Sequence, residues 1–165
     1  MQIKRILAHL TYPDYRVRRT FPVASLQRIE AGIRKAESGH NGEIRFAIES
    51  SLPWSALVRK QSARTRAIDV FSQLRVWDTE HNNGVLIYLL LAERDVEIVA
   101  DRGVNARVAQ GEWETICREM ETHFRQGEFE TGLLAGIHAI AGHLRTHYPK
   151  SAGDINEIPD QPVIL

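Results

Sequence analysis

Cysteine is all but missing from this chain. Cys117 stands alone among 165 residues, which excludes an intramolecular disulfide framework and any multi-cysteine zinc site. Long hydrophobic runs are missing too. The longest, Val85 to Ala92, falls well short of the roughly 20 residues that a membrane-spanning helix needs, and the N-terminal residues lack the apolar stretch of a secretory signal. Aromatic residues make up only 7% and do not interleave with the basic ones, so no nucleic-acid partner is expected. There is no Gly-rich phosphate loop, no Gly-x-Ser-x-Gly elbow, no His-Glu-x-x-His and no Cys-x-x-Cys. Together these absences predict a soluble, cytoplasmic protein of a reducing compartment.

What is present is an ordinary globular composition, 43% hydrophobic and 25% charged, of a length suited to one domain. Net charge is zero, but unevenly distributed. Residues 1–75 hold 14 Lys/Arg against 6 Asp/Glu, and residues 76–165 hold 7 against 15. Halves of opposite sign can attract across a fold; they can also present a basic face to an anionic partner and an acidic face to a cation.

Residues 1–20 read as a basic N-terminal arm. Residues 2–10 predict a short helix with Ile3, Ile6, Leu7 and Leu10 on one face, broken by Tyr12-Pro13-Asp14. That face suits either docking on the domain or an anionic membrane surface reached through residues 1–19. Val23, Leu26, Ile29, Ile33 and Ala36 recur at helical spacing over 22–38, with Pro22 fitted to the first turn. Residues 43–49 alternate: Ile44, Phe46 and Ile48 lie on one face, Glu43, Arg45 and Glu49 on the other, predicting a half-buried strand. A single basic helix is expected over 54–74. The run from Val85 to Leu91 predicts a strand covered on both faces at the centre of a sheet, paired antiparallel with 96–100 through a turn at 92–95. Two helical stripes follow. One runs through Trp113, Ile116, Cys117, Met120 and Phe124; the other through Phe129, Leu133, Ile137, Ile140, Leu144 and Tyr148. Gly132, Gly136 and Gly142 in the latter suggest closely packed backbone. The fold class is therefore α/β: a three-layer α/β/α sandwich with a small mixed sheet covered by helices on both faces. The domain spans 21–148, and 149–165 forms a C-terminal extension that is either docked or loose.

Few residues carry chemistry on their own. His138, His143 and His147 read as helix-surface histidines, and Cys117 as a buried inert thiol on an apolar stripe. The segment Trp77-Asp78-Thr79-Glu80-His81-Asn82-Asn83-Gly84 is richer. Asp78, Glu80, Asn82 and Asn83 put four oxygen-bearing side chains at the entry to the central strand, the hard ligands that Ca²⁺ or Mg²⁺ takes. An EF-hand is excluded, because Leu89 stands where its bidentate Glu belongs. Asp101, at the far end of the hairpin, is expected beside Asn82 and Asn83. An Asx-rich turn that satisfies its own backbone is the alternative.

Residues 82–88, Asn-Asn-Gly-Val-Leu-Ile-Tyr, followed by Val96 to Val104, resemble the core of the TPM domain family. Phe124-Arg125-Gln126-Gly127 with Gly132-Leu133 resembles that family's Phe-x-x-Gly-x-x-x-x-Gly-Leu region. Asp154 to Asp160 is similar to the Asn-Glu-Leu-Pro-Asp ending of a cytosolic bacterial subgroup without signal peptide or transmembrane helix. The resemblance implies an α/β/α sandwich and two alternative functions. One is a partner-binding module, at the membrane surface or beside a membrane-anchored LemA-like protein. The other is a phosphatase-like hydrolase of phosphate monoesters that depends on a divalent cation, calcium or magnesium. For the second, Asp78, Glu80, Asn82 and Asp101 would hold the metal, with Arg64 or Arg75 binding phosphate or a partner. Relatives often carry Gly and Lys where this chain has Thr79-Glu80-His81.

Overall fold

The computed structural model describes residues 2–13 and 15–165. The side chains of Gln2, Ile3 and Lys4 and all of Met1 and Asp14 lie outside the described residues. Two helices form the arm, α1 (Gln2–Leu10) and α2 (Tyr15–Thr20); α3 (Val23–Glu37) follows Pro22, and β1 (Glu43–Glu49) follows a turn. After β1 come α4 (Trp54–Val58), α5 (Ala63–Gln73), β2 (Gly84–Leu90) and β3 (Asp95–Ala100). The short α6 (Arg102–Asn105), α7 (Gln110–Arg125), α8 (Phe129–His147) and β4 (Val163–Ile164) complete the chain.

The strands form one sheet in the order β3-β2-β1-β4. β1 is parallel to β2 and to β4, and β2 is antiparallel to β3. Every residue of β2 is buried, and strand periodicity sends its side chains alternately to two cores. Val85, Ile87 and Leu89 join Ile44, Phe46 and Ile48 under α3, α7 and α8. Leu86, Tyr88 and Leu90 join Ala47 under α4 and α5. This is the expected three-layer sandwich on a mixed sheet, with β2 at its centre.

Two expectations need correction. The single helix over 54–74 is broken at 59–62: Lys60 takes a left-handed φ of 58°, and the Ser62 side chain caps α5 by accepting from the Thr65 N–H. β1 is buried on both faces rather than one. Its Glu49 is clamped by Arg66 through two 2.9 Å hydrogen bonds and accepts from the Tyr88 hydroxyl. Glu43 accepts from the Glu157 and Ile158 N–H groups, both at 3.2 Å. Polar residues on a strand mark a solvated face only when nothing charged or N–H-bearing is available to cover them.

The extension is docked, and its last segment supplies β4. Arg45 donates to the Pro159 and Gln161 carbonyls, and Asp160 pairs with Arg34 and Asn156. Gly132 and Gly136 admit α7 closely, since a Cβ would meet His123 at 2.7 Å and Met120 at 2.3 Å; at Gly142 a Cβ would make only an ordinary 4.0 Å contact with Arg145.

Candidate functional site

The acidic turn joins α5 to β2 at the end of the sheet where β1 and β2 begin. Its entry is fixed by close backbone approach: a Cβ on Gly84 would lie 2.0 Å from the Val76 carbonyl oxygen. The four candidate ligands separate into two groups. Asp78 is drawn back to Arg75 in an exposed ion pair of 2.6 Å, and Glu80 is exposed while its backbone N–H donates to Glu157 at 3.0 Å. Asn82 and Asp101 do come together, as the hairpin geometry predicts. The Asp101 N–H donates to the Gly84 carbonyl, and Arg102 Nε donates to Asn82 Oδ1 at 3.0 Å.

Asp101 is 8% exposed. One carboxylate oxygen caps α6 by accepting from the Arg102 N–H at 2.7 Å, and the other, Oδ2, is buried without a partner. Close by, a point one Cβ out from Gly103 lies 2.5 Å from the Asn82 carbonyl oxygen, 2.9 Å from that of His81 and 2.9 Å from the Tyr148 hydroxyl. Burial raises the Tyr148 pKa, against the lowering influence of Arg107, whose guanidinium lies 4.6 Å over its ring; Asp101 raises it further. The corner is thus rich in oxygen, and its carboxylate, carbonyl and hydroxyl donors are chemically suited to a hard cation. Among the described residues no group of three or more His, Cys, Asp or Glu side chains is arranged to hold an ion. Asn83 is buried for another purpose: its amide nitrogen donates to the Asn41 carbonyl at 2.6 Å, tying the turn to the start of β1.

Arg64 and Arg75 are not brought together. Arg64 donates to the Ile98 carbonyl and reaches Glu97 at 3.4 Å, on β3, whereas Arg75 serves Asp78. Cys117, expected to be buried, is half-buried, and its thiol is pushed up to about 12, chiefly by desolvation. His143 sits edge-on to Trp113, 5.4 Å between ring centres.

A second region lies at the opposite end of the sheet and is built around the N-terminal arm. Helix α1 lies across the ends of β1 and β2, but by its polar side. His9 is 3% exposed; its Nδ1 accepts from the Leu52 N–H at 3.0 Å, so Nε2 carries the proton and donates to Glu93 at 2.6 Å. Arg5 joins Glu93 at 2.7 Å and the Gln61 carbonyl at 2.8 Å. Of the face expected either to dock on the domain or to meet a membrane surface, Leu7 and Leu10 are 59% and 63% exposed. Trp54 and Val58, one turn apart on α4, are each 58% exposed and follow the end of β1. Arg16, Arg18, Arg19, Arg59 and Lys60 are exposed at the same end. The missed signal was the i, i+4 pair Arg5 and His9, which reaches an acid and a free N–H more effectively than the apolar stripe reaches a core already filled.

The TPM domain profile matches residues 18–143. The chain belongs to the TPM domain family. Among solved structures, it is similar to the BA42 protein of the psychrophilic bacterium Bizionia argentinensis. The two share 30% identity over 88% of this chain and 95% of that one, with a TM-score of 0.78. It also shares its fold with the N-terminal domain of a P. gingivalis protein, at 22% identity over 78% of this chain and 81% of that one and a TM-score of 0.61. No curated protein matches it. Among the described residues of this TPM domain, no helix is long and apolar enough to cross a membrane.

Proposed function

We propose that this TPM domain is a binding module that works at an anionic membrane surface, with the arm and α4 as the contacting face. The observation that carries the reading is the inverted docking of α1. Its polar side is spent on Leu52, Gln61 and Glu93, and its apolar residues Leu7 and Leu10 are left in solvent, as are Trp54 and Val58 of α4. An apolar stripe flanked by arginines is the form that inserts shallowly between lipid headgroups, and tryptophan favours that interface. A membrane-anchored LemA-like partner would be met on the same face. The test is co-sedimentation of the full chain with vesicles of phosphatidylglycerol and phosphatidylcholine. Binding to the anionic vesicles is expected and should weaken between about 20 and 150 mM salt. The double variant Leu7→Glu/Leu10→Glu should lose at least about tenfold in affinity, since each leucine contributes roughly 1.5–3 kcal/mol when buried. Undiminished binding by that variant overturns the reading.

A second reading, the divalent-metal-dependent phosphatase, is favoured by one observation: the partnerless buried Oδ2 of Asp101. Asp101, with the carbonyls of His81 and Asn82, would hold the ion, which would polarise a phosphoryl oxygen. Calcium, magnesium and manganese are the ions to titrate. Binding should raise the melting temperature, and Asp101→Asn should abolish that rise; no shift with any of the three removes the metal and the phosphatase with it.

A further inference from the structure

A cleft of about 770 Å³ opens between the arm and the β2–β3 turn. Its walls include Arg16 and Arg19 of α2 and Arg94 of the turn, together with Tyr12, Tyr15 and Phe129. None of the three arginines has an ion-pair partner among the described residues, and no acidic side chain among them lines the cleft. Glu93, the acid of that turn, is committed to Arg5 and His9. Elsewhere Arg28 pairs with Glu130 and Arg34 with Glu30. Here three guanidinium groups from two separate elements share one concavity.

One of them is held in position. The Arg16 guanidinium lies 5.1 Å from the centre of the Tyr12 ring, which limits its sweep and leaves its N–H edges free to donate. A concavity lined by charge of one sign concentrates anions at its mouth. The volume suits a small organic ligand, and guanidinium groups match the oxygens of a phosphate in geometry as well as charge.

We propose that this cleft binds a phosphate-bearing ligand, with Arg16, Arg19 and Arg94 taking the phosphate and Tyr12 and Tyr15 flanking the organic part. The site lies at the end of the sheet away from Asp101 and does not depend on a metal there. It goes beyond membrane contact through Leu7 and Leu10. The phosphate has two chemical sources, a soluble ester or a lipid headgroup.

The full chain is titrated with inorganic pyrophosphate and with phenyl phosphate, followed by amide shifts in the ¹H–¹⁵N spectrum. Saturable binding at about 1 mM or tighter is expected, with the largest shifts at Thr11, Arg16, Thr20 and Arg94. Arg94→Gln and Arg19→Gln should each weaken it by about tenfold or more. Arg18→Gln removes the same charge from the same helix but outside the cleft, and should change it by less than about twofold. Equal losses from Arg18→Gln and Arg94→Gln, or no saturable binding of either probe, overturn the proposal. Vesicles of phosphatidic acid and of phosphatidylglycerol then separate the sources. A preference for phosphatidic acid that Arg94→Gln removes assigns the lipid headgroup; soluble binding that is lost in Arg94→Gln while vesicle binding persists assigns a soluble ester. Leu7→Ser/Leu10→Ser, which adds no charge beside Ala8 and Thr11, should weaken vesicle binding and leave the pyrophosphate affinity unchanged, so membrane contact and the phosphate site stand or fall separately.

Discussion

Single residues set the pH response of this domain. Glu37 is 9% exposed; one of its oxygens accepts from the Ile44 N–H at 2.7 Å. Burial pushes its pKa up from the ordinary 4.5 to about 9, with Glu43 and Asp160 adding repulsion. Glu43 is pushed up to about 7, again chiefly by burial, against the two backbone N–H groups it accepts from. Both pKa values are higher folded than unfolded, so the native state holds protons that the unfolded chain releases. Their contribution is complete below about pH 4.5 and is lost as pH climbs through 7 and then 9. The urea midpoint should therefore fall from pH 5 to pH 9. Glu37→Gln keeps the shape and the bond to Ile44 without a titrating proton, so its fall between pH 7 and 9 should be clearly shallower. An unchanged slope in that variant would contradict the assignment. None of this is legible in the sequence. Glu37 occupies an ordinary helix position, and its burial depends on strand β1 and Asp160 arriving from elsewhere in the chain. Asp101 is the contrasting case: hairpin logic alone places it beside Asn82, and that is where it lies.

At the scale of elements, periodicity reads well and interruptions read poorly. The strands β1 and β2 and the helices α3, α7 and α8 are where spacing puts them, although β1 buries both faces and Val23, at the start of the α3 stripe, is 71% exposed. The break between α4 and α5 turns on one serine cap. Strand β4 has two residues and no pattern to detect, and α2 turns on the anchoring of the buried Val17. The acidic turn was found as a cluster of oxygens, but side-chain direction within a turn follows from partners such as Arg75 that periodicity does not locate. Helix α1 was legible as a helix and not as an orientation, and its attachment is testable. His9→Ala leaves the Leu52 N–H unpaired and removes the bond to Glu93, a loss of about 1–3 kcal/mol. Amide exchange over residues 2–12 should accelerate by at least about tenfold, while β2, buried throughout, keeps its protection. Equal acceleration in both would mean that the arm is integral to the core.

At the scale of the whole molecule, Arg16, Arg19, Arg59 and Arg94 gather where β1 and β2 finish. At the other end Arg75 and Arg102 stand among Asp78, Glu80, Asp101 and Glu157 and offset part of their charge. The basic end would lead as the molecule approached an anionic surface. The sheet order has a consequence of a different kind, in time rather than in space. β2 and β3 are joined by a tight turn, and α7 and α8 by another, so both units can assemble locally and early. β4 pairs with β1 from the opposite end of the sequence, Val163 against Ala47, and the entropy of closing so long a loop makes it the late step. Until then the outer edge of β1 is bare, and a bare edge invites another chain to pair with it. Glu43, Arg45 and Glu49 interrupt that edge with charge at three of its seven positions. In the finished fold they anchor the tail and Arg66; in the unfinished one they act as a guard against aggregation.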